Sequence, residues 1–269
     1  MNTITFSQKA HHYWNNLIND PDVDGVSPMG GGGMIEIYYR TYFELLNFLK
    51  LYNFKSRPNI LEVGCGSGRW GFALHPYVSH YTGIDISEVS IKHAKMHAKI
   101  REVKNCYFEN VSIRNFHSNK KFDLIYLGGV TQYIEDKILY KDLLHLKSML
   151  KSDGMIIDRS TLTLEPNRVI NNQKKYYAIY RTEEELKNIF KQTGFIKISS
   201  QKSYKFLRIG ILSKIMSYRP ILTFLRKIPE IVFPSLLRVT SLLDYVSPKI
   251  FEENEIGKFT HKFTSFKIT

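Results

Sequence analysis

Apolar positions along the chain change period in a regular rhythm, and the rhythm predicts a fold. Residues 34–54, "MIEIYYRTYFELLNFLKLYNF", carry apolar side chains at mixed three- and four-residue spacings, the period of an amphipathic helix. "RPNILEVGCGSGRWGFAL" then reads as a short apolar strand, a glycine turn and a new helix start. "SHYTGIDIS" is a second strand ending in an acid, "EVSIKHAKMHAKIREV" a helix, and "NCYFENVSI" a third strand. After a polar loop, "KFDLIYLGGVTQYI" is an apolar strand that ends in two glycines. "EDKILYKDLLHLKSMLKSDG" has Leu and Ile at helical spacing and is expected to stop at a cap on Asp153-Gly154, ahead of the strand "MIIDRST". "TEEELKNIFKQTGF" opens with Thr182 and Glu185 as a capping box and closes at Gly194 before the strand "IKISSQKSYKF".

Strands alternating with helices of this length imply right-handed crossovers and a parallel sheet covered on both faces. The fold class is therefore α/β, doubly wound. Residues 205–258 break the rhythm. Pro220, Pro229, Pro234 and Pro248 cut this stretch into short helical pieces such as "LRIGILSKIMS" and "SLLRVTSLLDYV", and the tail "THKFTSFKIT" then alternates as a half-buried strand does. The expected organisation is an N-terminal lid and helix over 1–57, a core over 58–204, a basic helical insertion over 205–258 and a final core strand over 259–269.

Composition adds little to this until charge is placed along the chain. With 269 residues, 43% hydrophobic and 23% charged, the protein is globular and large enough for a sizeable core. The N-terminus has no basic segment followed by an apolar stretch, and no run reaches the roughly 18–20 apolar residues of a spanning helix. Cys65 and Cys106 form neither a metal-ligand spacing nor a disulfide framework, which suits a reducing cytosol. The nine histidines likewise form no metal spacing that fits the fold, so no metal is expected. The net charge of +13 is concentrated: nine Lys or Arg stand between Lys202 and Lys249 against only Glu230 and Asp244. Such a surface suits anionic lipid, a phosphorylated or lipid-linked acceptor, or RNA backbone.

The chemistry is carried by "ILEVGCGSGRWG", residues 60–71, followed by Asp85 in "YTGIDIS". A strand that stops at glycines lets backbone approach a ligand, and an acid at the tip of the next strand can accept hydrogen bonds from both ribose hydroxyls. Together they describe a nucleoside pocket at the carboxyl ends of the strands. Gly66, Gly68 and Gly71 also match the G-x-G-x-x-G of dinucleotide enzymes, a weak signal alone.

"LEVGCGSG" resembles the first motif of class I S-adenosylmethionine-dependent methyltransferases, with Glu62 at the position of the acid before the glycines. Asp85 matches the family's ribose-binding acid, and "LLHLKSMLKSDG" with "MIIDRS" resembles its L-x-P-G-G crossover with Ser-Asp for Pro-Gly. The resemblance spans roughly 58–200 and the final strand. It implies a Rossmann-like, mostly parallel seven-stranded sheet with helices on both faces. It also implies S-adenosyl-L-methionine as cofactor, with Gly64, Gly66 and Gly68 forming the loop beneath it and Cys65 contributing backbone. Ile86 would lie against the adenine, Asn110, or in second place Glu109, would meet its amino group, Val111 would offer an N–H, and Leu127 and Gly128 would flank the methionine arm. Glu62 would serve the methionine end.

The implied reaction is direct methyl displacement, in which alignment of the acceptor matters most. "GGVTQYI" replaces the Asn/Asp-Pro-Pro-aromatic element of enzymes that modify exocyclic base amines, and it resembles the small-molecule branch. Tyr133 and Gln132 then fall at the acceptor mouth, with Asp158 and Arg159 after the fifth strand; Tyr133 and Asp158 are the catalytic candidates. The expected activity is O-methylation of a sugar, glycan or lipid-linked precursor, as in bacterial surface-polysaccharide pathways. RNA methylation and non-catalytic cofactor binding are the alternatives. The expected setting is cytoplasmic, with peripheral contact to an anionic membrane through 205–250 as a further expectation; nucleic acid ranks behind a glycan or lipid-linked partner. "PMGGGGMIE", residues 28–36, reads as the hinge of a lid that includes Tyr13 and Trp14, with a plain linker and a cradle for an anionic substrate as the alternatives.

Overall fold

A computed structural model describes residues 6, 8–9, 12–14, 41, 44–171, 177–203 and 258–269. The four consecutive glycines and the basic segment over 205–257 lie outside the described residues, and with them the hinge, insertion and membrane-contact expectations. Five apolar strands follow the expected order: β1 (Asn59–Val63), β2 (His80–Asp85), β3 (Cys106–Asn110), β4 (Phe122–Leu127) and β5 (Leu150–Thr163). β6 (Val169–Asn171) and β7 (Ala178–Tyr180) pair as a separate ribbon, whereas β8 (Phe195–Lys202) and β9 (Phe259–Ile268) return to the main sheet. The seven-stranded sheet has the order β3-β2-β1-β4-β5-β9-β8, and β9 alone runs against its neighbours.

The central strands β1 and β4 are buried on both faces because both are covered. One face packs Ile60, Tyr81, Phe108, Leu124 and Tyr126 against Trp70 and Leu74 of α1 (Arg69–Leu74), Ile91 and Ala94 of α2 (Glu88–Ile100), and Phe48. The other packs Leu61, Val63, Ile84, Ile125 and Ile156 against Leu139, Leu143 and Leu146 of α3 (Asp136–Met149) and Leu186 and Phe190 of α4 (Glu183–Gln192). Glu44–Phe48 is helical, in line with the period over 34–54, and sets Phe48 against Trp70, Tyr126 and Phe263 at ring distances of 5.0, 4.9 and 5.6 Å.

Two local expectations are corrected. The helix before β5 ends at Met149 rather than at Asp153-Gly154, and extended backbone begins at Leu150. Gly154 is not among the left-handed glycines, so it caps nothing. Asp158 and Arg159, expected after the fifth strand, lie inside it, because β9 pairs with β5 as far as Thr163. The expected Thr182–Glu185 capping box is formed, with the Glu185 N–H on the Thr182 hydroxyl at 3.1 Å and the Thr182 N–H on Glu185 at 2.9 Å.

Register places the site. Val63 is level with Ile84 of β2 and Leu127 of β4, and Leu127 is level with Asp158 of β5. Gly64, Asp85, Gly128 and Arg159 therefore share the rim at the carboxyl ends of the parallel strands, where open α/β sheets bind ligands. β5 continues beyond the tip of β4 and walls one side of that rim.

Candidate cofactor and acceptor site

The β1–α1 loop turns sharply through Gly64, Gly66 and Gly68, with φ of +72°, +52° and +87°. Such backbone favours residues without a Cβ. A Cβ on Gly68 would also lie 2.8 Å from Phe108 and 2.9 Å from Phe72. The N–H groups of Gly64 and Cys65 donate to the Ile84 carbonyl at 2.8 and 3.1 Å, that of Gly66 to Asp85 Oδ2 at 2.9 Å, and that of Gly68 to the Cys65 carbonyl at 3.0 Å. Four loop donors are thus committed within the protein. A pyrophosphate cradle needs such donors turned outward, so the loop suits a nucleoside without phosphate better than a dinucleotide. Cys65 is buried, and burial pushes its thiol pKa well up, which makes it a packing residue.

Asp85 stands at the tip of β2 with each carboxylate oxygen fixed by backbone: Gly66 N–H on Oδ2 and Ser87 N–H on Oδ1 at 2.8 Å. Ser87 in turn caps α2 by accepting the Ser90 N–H at 3.3 Å. An oriented, half-buried carboxylate at this place can take two ribose hydroxyls. Next to it, Ile86 is 47% exposed and offers an apolar platform for a base. Asn110 and Val111 are close by, but their N–H groups have another task. Asn110 Nδ2 and the Val111 N–H both donate to the Asp85 carbonyl, at 2.9 and 3.0 Å. This revises the expectation that Val111 offers its N–H to the adenine: the two residues brace the tip of β2.

The opposite end of the rim holds Glu62, Leu127 and Gly128. Glu62 is 1% exposed and accepts a short hydrogen bond from the Tyr81 hydroxyl. Burial raises its pKa well above the usual carboxylate range, Asp85 adds to this and Arg69 opposes it. A Cβ on Gly128 would lie 2.6 Å from Glu62 Oε1, so only glycine lets the end of β4 close over that carboxyl. Leu127 points into the core, leaving only its backbone on the site side.

A charged cluster completes this end, of which the sequence marked only Arg159. Glu44 is fully buried; its Oε1 accepts Arg159 Nε at 2.9 Å, and its Oε2 lies 3.3 Å from Arg69 Nη2. Arg69 also donates to the Thr41 hydroxyl at 2.9 Å. The signals in the sequence were an acid on an otherwise apolar helical stretch and an Arg directly after the glycine loop.

On the acceptor side, Thr131–Tyr133 forms a short 3-10 turn after β4. Arg181, 2% exposed, clamps it from beneath by donating to the carbonyls of Thr131 at 2.8 Å and Ile134 at 2.6 Å while pairing with Asp136. Asp158 is fully buried under the same turn and accepts the Thr131 hydroxyl at 3.0 Å and a short bond from Ser160. Burial pushes its pKa up to about 6, against the opposing hydroxyls and arginines. In this arrangement Asp158 acts through Thr131 and does not face an acceptor. Tyr133 is half-buried; its hydroxyl accepts the Gln132 amide at 2.8 Å, and the Gln132 carbonyl accepts the Thr161 N–H at 3.3 Å. Trp14 packs edge-on against Tyr133 at 5.2 Å, and Phe6 against Tyr177 at 6.0 Å.

A family model described as a methyltransferase domain matches residues 54–208. The chain belongs to that family. Among curated proteins it is 31% identical over 105 residues to nodulation protein S of Sinorhizobium fredii, covering 39% of this chain and 48% of that one. It is 25% identical over 174 residues to a ubiquinone biosynthesis O-methyltransferase of Rickettsia felis, covering 65% and 62%. It is 30% identical over 144 residues to a trans-aconitate 2-methyltransferase of Escherichia coli, covering 52% and 53%. Each match spans less than two thirds of the relative's length.

Solved structures show the same fold. A methyltransferase of Leishmania major aligns with a TM-score of 0.63 at 15% identity, over 97% of this chain and 83% of that one. The magnesium protoporphyrin IX methyltransferase of Synechocystis, solved with bound S-adenosylmethionine, aligns at 0.57 and 12% identity over 99% of both. The methyltransferase-domain match begins at residue 54, so Trp14, Thr41 and Glu44 reach the site from outside it.

Proposed function

We propose that the protein is an S-adenosylmethionine-dependent O-methyltransferase whose acceptor is a sugar hydroxyl on a glycan or lipid-linked precursor. The cofactor reading is supported by the fit of the rim: an oriented Asp85, a glycine loop with its donors turned inward, and an exposed Ile86 beside them. When bound, the cofactor supplies a methyl group already activated on a sulfonium. The chain's own task is then to exclude water and to align an acceptor oxygen. Thr131, held by Asp158 and Arg181, fixes the turn that carries Gln132 and Tyr133. Tyr133, steadied by Gln132, is placed to orient an acceptor hydroxyl.

The observation that carries the acceptor reading is the edge-on pair of Trp14 and Tyr133 at the mouth. The apolar C–H face of a sugar ring packs well on such rings, and the Tyr tip keeps a polar handle for hydroxyls. Lys9 over the Tyr177 ring, at 5.4 Å, adds positive charge that suits a phosphate on a lipid-linked or nucleotide-linked sugar. Among the described residues no helix is long and apolar enough to cross a membrane.

The test is methyl transfer from radiolabelled cofactor, offered to a crude glycan and lipid fraction and separately to total RNA. Label in the glycan and lipid fraction supports the reading. Label in RNA alone defeats it, and tight cofactor binding with no transfer to either favours a non-catalytic binding protein.

A further inference from the structure

We propose that Arg159, held in position by Glu44, receives the carboxylate at the amino-acid end of the cofactor. This rests on the cofactor reading above and names the residue that recognises the end farthest from Asp85.

The direction of the arm follows from the rim. Asn110 of β3 is level with Asp85, so with the base on that side an arm attached to the ribose runs the other way, across the tip of β1 to β4. Adjacent strands are about 4.8 Å apart, which puts the tip of β4 about 10 Å from Asp85 and β5 one spacing further. Gly128 and Gly129 lie there. Gly129 has φ +83°, and a Cβ on it would come within 3.8 Å of Arg159 Nη1. The guanidinium therefore borders bare backbone where the arm would end.

Its orientation is imposed by Glu44, which takes the Nε edge at 2.9 Å and lies 2.8 Å from Nη2. Arg159 is 4% exposed and Glu44 fully buried, so the geometry is held by packing rather than by chance on a surface. Two guanidinium groups, of Arg69 and Arg159, converge on this one carboxylate. An anion beside them would make charge-assisted hydrogen bonds, and the low exposure of Arg159 and Glu44 limits competition from water. A second group points the same way. The Tyr126 hydroxyl is buried among Glu44, Glu62, Arg69 and Arg159 and has no hydrogen-bond partner among the described residues. A polar ligand end at this place would supply one.

The experiment compares two ligands by isothermal titration: S-adenosylhomocysteine, and 5′-methylthioadenosine, which keeps the nucleoside and sulfur but lacks the amino-acid end. The ratio of their affinities is the readout, because a loosened fold lowers both together. Arg159→Gln is expected to weaken S-adenosylhomocysteine roughly ten- to hundredfold, the loss of a charged hydrogen-bonded pair, and to leave 5′-methylthioadenosine within about twofold. Glu44→Gln should shift the ratio in the same direction by less, through lost orientation. If Arg159→Gln does not fold, Arg159→Lys is read instead; it keeps the charge without the planar fork and should still lower the ratio at least about threefold. A wild-type ratio in the folded Arg159 variant overturns the proposal, as does an equal loss for both ligands. Wild-type protein that binds neither ligand defeats the cofactor reading itself, a distinct outcome.

Discussion

Gly66 and Asp85 are joined by a hydrogen bond of 2.9 Å from the glycine N–H to the carboxylate, so the glycine loop and the tip of β2 are one unit. The second carboxylate oxygen, on the Ser87 N–H, extends that unit to the start of α2.

Replacing Asp85 by Ala removes the anchor of the loop and the acceptor for the ribose together. S-adenosylhomocysteine affinity is expected to fall at least about a hundredfold, since hydrogen bonds to a charged group are worth about 1.5–3 kcal/mol each. Asp85→Asn keeps the shape but not the charge and should fall less. Isothermal titration checks both, and equal binding by wild type and Asp85→Ala would remove Asp85 from the site.

Gly128→Ala tests the close approach at the other end of the rim. The added methyl would sit 2.6 Å from Glu62 Oε1, and Glu62 is locked by the Tyr81 hydroxyl, so the end of β4 must shift. A loss of about 1–3 kcal/mol in denaturant unfolding is expected, the usual cost of overpacking, together with weaker cofactor binding. Wild-type stability would show that Glu62 can yield.

The division between what was readable and what was not follows from the range of the interactions. The glycine loop, Asp85 and the alternation of strands and helices are local patterns, and each appears where the period and motif placed it. The Thr182–Glu185 box is local too. Asp158 was legible as a residue near the acceptor side, but its role depends on Thr131, a neighbour 27 positions away, and its strand extends only because β9 pairs alongside. The Glu44–Arg159 pair bridges 115 positions, and no window of sequence contains it. The β6–β7 ribbon was missed for a different reason: three-residue strands carry too few positions to show a period.

Arg181 ties the acceptor-side turn to the fold. Arg181→Ala would strand the Thr131 and Ile134 carbonyls and leave Asp136 paired with Arg168 alone among the described residues. Asp136 is 38% exposed and keeps Arg168, so the cost comes mainly from the two stranded carbonyls, about 1–3 kcal/mol. Turnover of an acceptor should suffer beyond that loss of stability, while binding of S-adenosylhomocysteine to the folded fraction stays near wild type. A parallel fall in both would mean that the turn supports the cofactor as well.

Asp158 makes a signed prediction about pH. Its folded pKa is raised to about 6 from an ordinary value of 3.8, so between those values the folded state binds a proton that the unfolded state has released. Stability from this group is therefore greatest below about pH 4 and declines as pH rises through 6, by about 3 kcal/mol in all, after which it is constant. Asp158→Asn cannot lose that proton. Its stability relative to wild type should improve between pH 4 and pH 7.5 by an amount approaching that value, whatever constant offset the altered bonds to Thr131 and Ser160 introduce. Glu183 has its pKa lowered to about 2 in the fold and pulls the whole-protein profile the other way, but it is common to both proteins and cancels in the difference. Urea unfolding of the two proteins at both pH values measures it. A difference that stays flat with pH would mean that the carboxyl is not desolvated under the turn, and would reopen Asp158 as a group facing the acceptor.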